Sequence, residues 1–332
     1  MESIINQEIA WVLAQQLSSG AVITDYPAQP KIIPYFANLA LYGVASYGQH
    51  LEKVRHYLNW YITHLENPDR FGVNGTVYDY LINDDEKEIP TMNYDSSDSY
   101  GATFLTLVRL YYTSSGDSEW IKNHRQELDL IAGAVLSTLE KDSLTLAKPD
   151  WKVKYLMDNC EVYKGLKDYA WLLEEVFKDQ EWAKRFETLA QKVKEAIEKK
   201  MRVNGGYSPA IYLAGFRKRP NWRKWYPDAM AQLFPILTGV LDPGSETARQ
   251  LYGNFLRNYP DWYNHTLPQN FKSPLVVYTA ALMEDRWRVR QYIESLKENI
   301  LSKGHPWPYH SAEAGILILA LHHYSKGKVT DI

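Results

Sequence analysis

Apolar positions along the chain recur at the three-to-four-residue spacing of amphipathic helices, and no long stretch alternates strictly between apolar and polar as a half-buried strand would. The periodic stretches predict twelve helices, at roughly 2–18, 31–46, 50–66, 97–114, 117–140, 158–178, 180–202, 227–240, 245–258, 273–284, 286–302 and 310–325. Between them fall Gly48, Pro68, Gly116, Gly205 with Gly206, Pro243 with Gly244, Pro260 and Gly304, residues that end helices or turn the chain.

The helices alternate in character. The third, fifth, seventh, ninth and eleventh carry one strongly charged face, as in Glu52-Lys53-Arg55-His56 and Lys192-Lys194-Glu195-Glu198-Lys199, and read as outer helices. The even-numbered ones are apolar or small nearly all round, as in residues 35–41 and 314–321, and read as inner helices covered on most sides. An alternating outer–inner order gives a hairpin repeat of about 55 residues without a repeated motif. The expected fold is therefore all-α: an (α/α)6 toroid of six helical hairpins. An open solenoid is the competing arrangement, but its repeats are usually shorter and more alike. No Ser, Gly or Pro tract divides the chain, so residues 1–332 are expected to form a single domain. The long irregular stretches, about 67–96 and 203–225, are expected to cover one mouth of the ring.

Composition narrows the chemistry. With 45% hydrophobic and 23% charged residues the chain can bury a large core, and a formal net charge of −3 leaves no electrostatic footprint for nucleic acid or an anionic membrane. The single cysteine, Cys160, has no disulfide partner and reads as a buried, inert residue. The first twenty residues lack a basic start and an unbroken apolar run, so neither a signal peptide nor a membrane span is expected. A native Met1 would place the protein in the cytoplasm, a removed leader would make it secreted, and a monomer is expected. Scattered histidines without HExxH or paired-cysteine spacing give no metal site, and Asp84, Asp85 and Glu86 read as a solvated loop. No cofactor is expected, because glycine-rich nucleotide loops and the GxSxG nucleophile elbow are absent.

Aromatic residues make up 14% of the chain, with 25 Tyr and 11 Trp against 9 Phe. Tyr and Trp combine an apolar face with a polar edge, which suits wet clefts that stack on sugar rings. Their positions matter more than their number, because polar and aromatic residues crowd the segments leading into the inner helices. In order these are Thr24-Asp25-Tyr26, the run from Asn93 to Tyr100 with Tyr94, Asp95 and Asp98, the run from Asp158 to Tyr163 with Glu161, Trp225-Tyr226-Pro227-Asp228, Gln269-Asn270-Phe271-Lys272, and the run from Trp307 to Glu313 with His310. In a toroid these lead-in segments converge on one face. Helix capping could account for Asp95-x-x-Asp98 and Asp158-x-x-Glu161 one at a time. A carbohydrate cleft accounts for the recurrence of Asp, Tyr and Trp together.

Two carboxyls suffice to hydrolyse a glycosidic bond, one protonating the leaving oxygen and one activating water or attacking the sugar. Glu161, set among Cys160, Val162 and Tyr163 and one turn from Asp158, is the expected proton donor, because burial and a neighbouring anion keep an acid protonated. Asp98 and Asp228 are the expected partner carboxylates. Asp25, Tyr26, Tyr94, Asp95, Tyr100, Asp158, Trp225, Tyr226, Trp307, His310 and Glu313 are expected to bind an oligo- or polysaccharide.

Asp25 before helix 2, Ser97-Asp98-Ser99 at helix 4 and Tyr226-Pro227-Asp228-Ala229 at helix 8 resemble the corresponding segments of family 8 glycoside hydrolases, within the six-hairpin glycosidase superfamily. The resemblance implies a glycoside hydrolase with Asp25 as the acid, Asp98 holding the substrate and Asp228 as the base, and an inverting course is expected of the hydrolase. The glucoamylase branch of the same superfamily points instead to Glu161 and Glu313. The alternatives are a carbohydrate-binding protein without catalysis, a sugar epimerase using His310, and a polysaccharide lyase using Lys272 as the cation.

Overall fold

The computed structural model describes residues 1–24, 29–83, 85, 87–212, 215–265 and 274–327. The described helices are α1 (Glu2–Ala14), α2 (Pro34–Tyr47), α3 (Leu51–Thr63), α4 (Ser97–Ser115), α5 (Ser118–Asn123), α6 (Arg125–Leu136), α7 (Leu156–Glu175), α8 (Gln180–Ala196), α9 (Phe234–Leu237), α10 (Glu246–Asn258), α11 (Pro274–Leu282), α12 (Arg286–Asn299) and α13 (Ser311–Lys326). They form an (α/α)6 toroid. α2, α4, α7, α9, α11 and α13 each pack on the next, and α13 returns to α2, which closes the inner ring. The outer layer consists of α1, α3, the α5–α6 pair, α8, α10 and α12.

Local chemistry explains most boundaries. Pro34 begins α2, where its missing N–H costs nothing. Gly48 and Gly116 end α2 and α4 in the left-handed conformation at φ 83° and 67°. Two departures from the sequence pattern have clear causes. The predicted helix at 117–140 is two helices, broken at His124, whose ring Nδ1 lies 2.7 Å from the carbonyl oxygen of Trp120. The predicted helix at 227–240 is a wide turn at Trp225–Ala229 followed by the four-residue α9, because Pro227 and Pro235 remove helix donors. Helix 2 starts later than predicted, since Lys31–Ile32 is a short strand.

Inner helices approach one another unusually closely. A side chain on Gly315 of α13 would lie 2.3 Å from the carbonyl oxygen of Ala40 on α2, and one on Gly165 of α7 would lie 2.5 Å from the carbonyl oxygen of Ala102 on α4. Glycine at these crossings lets backbone meet backbone.

The irregular stretches contain strands. β1 (Lys31–Ile32) pairs with β2 (Tyr80–Ile82), which pairs with β3 (Glu88–Pro90), all antiparallel. β4 (Lys154–Tyr155) pairs with the later Ala210–Ile211 strand, β7, across Tyr155↔Ala210. β5 (Arg202–Val203) and β6 (Gly206–Tyr207) form a hairpin after α8. β1, β3 and β4 each precede an inner helix, so the small sheets tie the lead-in segments together on one face of the ring. Among the described residues, no helix is long and apolar enough to cross a membrane.

Candidate active site

Four of the outer helices, α5, α8, α10 and α12, are capped by the side chains of Asp117, Asp179, Ser245 and Asp285, which accept backbone N–H bonds from Trp120, Trp182, Ala248 and Arg288, whereas α1, α3 and α6 have no side-chain cap bond. The inner helices α2, α4, α7 and α13 have no side-chain cap bond at their N-caps Ile33, Ser96, Tyr155 and His310. Capping therefore does not explain the acids that crowd the starts of the inner helices.

Those N-terminal ends surround a cavity of about 330 Å³ on the axis of the ring. Every inner element contributes to it: Tyr35 and Phe36 from α2, Tyr100 from α4, Asp158 from α7, Phe234 from α9, Leu275 from α11 and Glu313 from α13. Trp225, Tyr226 and His310 complete the wall together with Asp79 and Asp95. Of the residues expected from sequence, the structure thus brings together Asp95, Tyr100, Asp158, Trp225, Tyr226, His310 and Glu313.

The electrostatics favour retained protons. Burial pushes the Asp79 carboxyl up to about 7, although the Tyr100 hydroxyl donates to it at 3.0 Å. Asp158 is raised well above the ordinary carboxylate range, first by burial and then by the charges of Asp98 and Glu161. His310 moves the other way, because burial lowers its imidazole to about 4 and leaves it neutral at neutral pH. Its ring lies 4.9 Å from that of Phe36.

Glu161 does not line this cavity. It opens into an adjoining chamber of about 120 Å³ further along the axis, which shares Leu39, Phe234, Leu275 and Ile316 with the first. The hydroxyl of Tyr35 donates to Glu161 Oε1 at 2.7 Å and so links the two spaces. Burial raises the Glu161 carboxyl to about 8, against the lowering effect of that bond. Among the described residues, no group of three or more His, Cys, Asp or Glu is arranged to hold a metal ion.

Several expected positions lie elsewhere. Asp98 is fully buried and accepts from the Thr145 hydroxyl at 2.6 Å and the Ser99 amide at 2.8 Å, which tie the start of α4 to the Thr145 segment. Asp228 is buried outside the cavity lining and accepts from the Asn221 amide at 2.9 Å, closing the loop before α9. Tyr94 is 1% exposed, its hydroxyl donating to Asp69 at 2.7 Å in the core. Trp307 is half-exposed, its ring 6.0 Å from that of His310, and does not line the cavity. Asp25, Tyr26, Lys272, Asp84 and Glu86 lie outside the described residues. Cys160 is buried, which raises its thiol well above the ordinary range.

Sequence reasoning missed Asp79 and Tyr35. Asp79 adjoins β2, and its intermediate exposure between the buried Tyr78 and Tyr80 follows the period of two of an extended segment. The sequence carried no such alternation, because Val77 and Tyr78 are buried in succession and the strand is three residues long. Tyr35 lies just inside α2, in a run that reads as purely apolar core.

No protein-family model matches the chain, and neither does any curated protein. Solved structures do. A glycosidase in complex with glucose superposes with a TM-score of 0.71 at 11% identity, over 97% of this chain and 96% of that one. A novel alpha-amylase from Clostridium perfringens gives 0.67 at 11% identity, over 97% of each chain. A rhamnosidase from Klebsiella oxytoca with rhamnose bound gives 0.61 at 13% identity, over 87% of this chain and 57% of that one. The chain has the fold of these proteins.

Proposed function

We propose that the protein is a glycoside hydrolase acting on an oligo- or polysaccharide in the axial cavity. The observation that carries this reading is the placement of Asp158 and Glu313 on α7 and α13, which stand three places apart in a ring of six inner elements and face each other across one aromatic-walled cavity. Carboxyls on opposite walls can act on opposite faces of a sugar, one as acid and one as base.

Asp158 is the proton donor in this reading, because burial and two neighbouring acids favour its protonated form. Glu313 activates the attacking water. Glu161, one turn beyond Asp158, accepts the Tyr35 hydroxyl and holds that ring in place. Tyr35, Tyr100, Trp225 and Tyr226 offer ring faces to the sugar, and neutral His310 offers a hydrogen-bonding edge. Inversion is the expected stereochemical course, since the acid and the base stand on opposite walls of the cavity. The glycosidase fold of the structural neighbours, one solved with glucose and one with rhamnose, supports a sugar ligand.

The test is incubation with panels of gluco-, xylo-, chito- and rhamno-oligosaccharides, with NMR detection of the first-formed anomer. Cleavage by the wild type that falls by about 10²–10⁴ in Asp158→Asn supports the assignment. Full turnover in that variant with loss in Glu161→Gln would return the donor role to Glu161. Binding without cleavage would make the protein a carbohydrate-binding toroid.

A further inference from the structure

Outside the cavity, on the α7 side of its mouth, aromatic rings lie open to solvent. Tyr226, which lines the cavity, is 50% exposed, Tyr212 44% and Trp151 51%, with Tyr155 half-buried among them. The pairing of β4 with β7 sets their arrangement. Lys154 pairs with Ile211 and Tyr155 with Ala210, which sets Tyr212 just beyond the paired end of β7. Tyr212, two residues beyond the partner of Tyr155, acts electrostatically on the Tyr155 phenol. The indole Nε1 of Trp151 donates to the Tyr155 hydroxyl at 3.0 Å, which holds the third ring beside them.

The row joins the cavity. Besides burial, Tyr155 feels Asp158, Tyr212 and Asp95, while Tyr226 feels Asp158, Asp95, Glu161 and Tyr155. These groups lie within electrostatic reach of one another, and Tyr226 and Asp158 also line the cavity. A single exposed aromatic residue needs no explanation, but a contiguous row on the rim of a cleft marks a binding surface. Its chemistry is a set of flat apolar faces with phenolic edges, which suits stacking on sugar rings.

We propose that Trp151, Tyr155, Tyr212 and Tyr226 form a stacking platform for the sugar units of a substrate chain that extends out of the cavity over β4 and β7. The proposal rests on the hydrolase reading and deepens it: the substrate is a chain of several sugars, of which the cavity holds only the part being cleaved.

Calorimetric titration with malto-, cello- and chito-oligosaccharides of two to six units tests this. Asp158→Asn serves as the background that suppresses cleavage, and the comparison is the same background carrying Trp151→Ala and Tyr212→Ala. In the background, affinity should rise by about tenfold from the two-unit to the longest sugar of the series that binds. The platform substitutions should abolish that rise and leave the two-unit affinity within about twofold. Both side chains are exposed, and an unchanged melting temperature checks the fold. A rise that persists without the platform rings overturns the proposal, as does an equal loss for short and long sugars. If the wild type cleaves an oligosaccharide while platform loss changes nothing, only the platform fails. If no sugar is bound or cleaved, the platform and the hydrolase reading fail together.

Discussion

Asp158 and Glu161 sit one helical turn apart on α7 yet open into different spaces, and Tyr35 bridges them. A pH dependence follows. Asp158 and Asp79 line the cavity with carboxyls raised by burial, Asp79 to about 7, so activity that needs a protonated donor should decline as pH rises above neutrality. An activity that increased steadily to pH 9 would contradict an acid among them. Stability should follow the same direction. A carboxyl whose folded pKa lies above its unfolded value binds more protons in the folded state, so its contribution to stability is fully present below the unfolded value and is lost as pH rises through the folded value. For Glu161 the window runs from about 4.5 to about 8. Melting temperatures measured across pH 5–9 should fall in the wild type, and the fall should be shallower in Glu161→Gln. Identical slopes would show that Glu161 is not held protonated by the fold. Single residues were only partly legible in the sequence. Asp158, Trp225, Tyr226, His310 and Glu313 could be found because helix periodicity locates the lead-in segments that converge. Asp98, Tyr94 and Asp228 share those segments, but their partners Thr145, Asp69 and Asn221 draw them out of the cavity lining. Nothing local distinguishes the two groups.

At the scale of elements, periodicity and breakers located most helices, because an amphipathic face and a glycine stop are local properties. They failed where the decisive interactions were not periodic. The segment at 227–240 keeps a helical apolar pattern but has two prolines, and the strands at the mouth are two or three residues long, too short to show alternation. Asp79 was hidden for that reason, since pairing with β1 and β3 sets the position of the strand beside it. The crossing of α2 and α13 makes a sharper prediction. Gly315→Ala puts a methyl group against the Ala40 carbonyl, where only backbone can yield, and should cost about 1–3 kcal/mol or more. Gly133→Ala, whose added methyl meets nothing within 4 Å, is the control and should be neutral or slightly stabilising. Equal denaturation midpoints for the two variants would show that the inner helices can separate to admit a side chain.

At the scale of the whole molecule, the ring is closed by the packing of α13 on α2, and α1 adds polar contacts to that closure. Glu8 is fully buried and accepts from the Tyr309 hydroxyl at 2.7 Å, while its other oxygen lies 2.9 Å from the Nε2 of His305. Trp11, one turn further on, stacks on His305 with ring centroids 4.2 Å apart. The sequence showed Glu8 only as one polar residue of an amphipathic helix, because partners about three hundred residues away leave no local trace. The closure lies just before His310 and Glu313, so α1 anchors the segment that delivers those two residues to the cavity. Removing the buried acid leaves the Tyr309 hydroxyl and the His305 ring without a shared acceptor in a space closed to water, and each lost bond to a charged group costs about 1.5–3 kcal/mol. Glu8→Ala should therefore lower the melting temperature by several degrees, and Glu8→Gln, which keeps an acceptor oxygen, should recover part of the loss. If the ring contact also sets the position of the α13 wall, Glu8→Ala should weaken sugar binding below its melting transition, although the residue lies outside the cavity lining. Unchanged stability in Glu8→Ala would mean that inner-helix packing alone holds the ring shut.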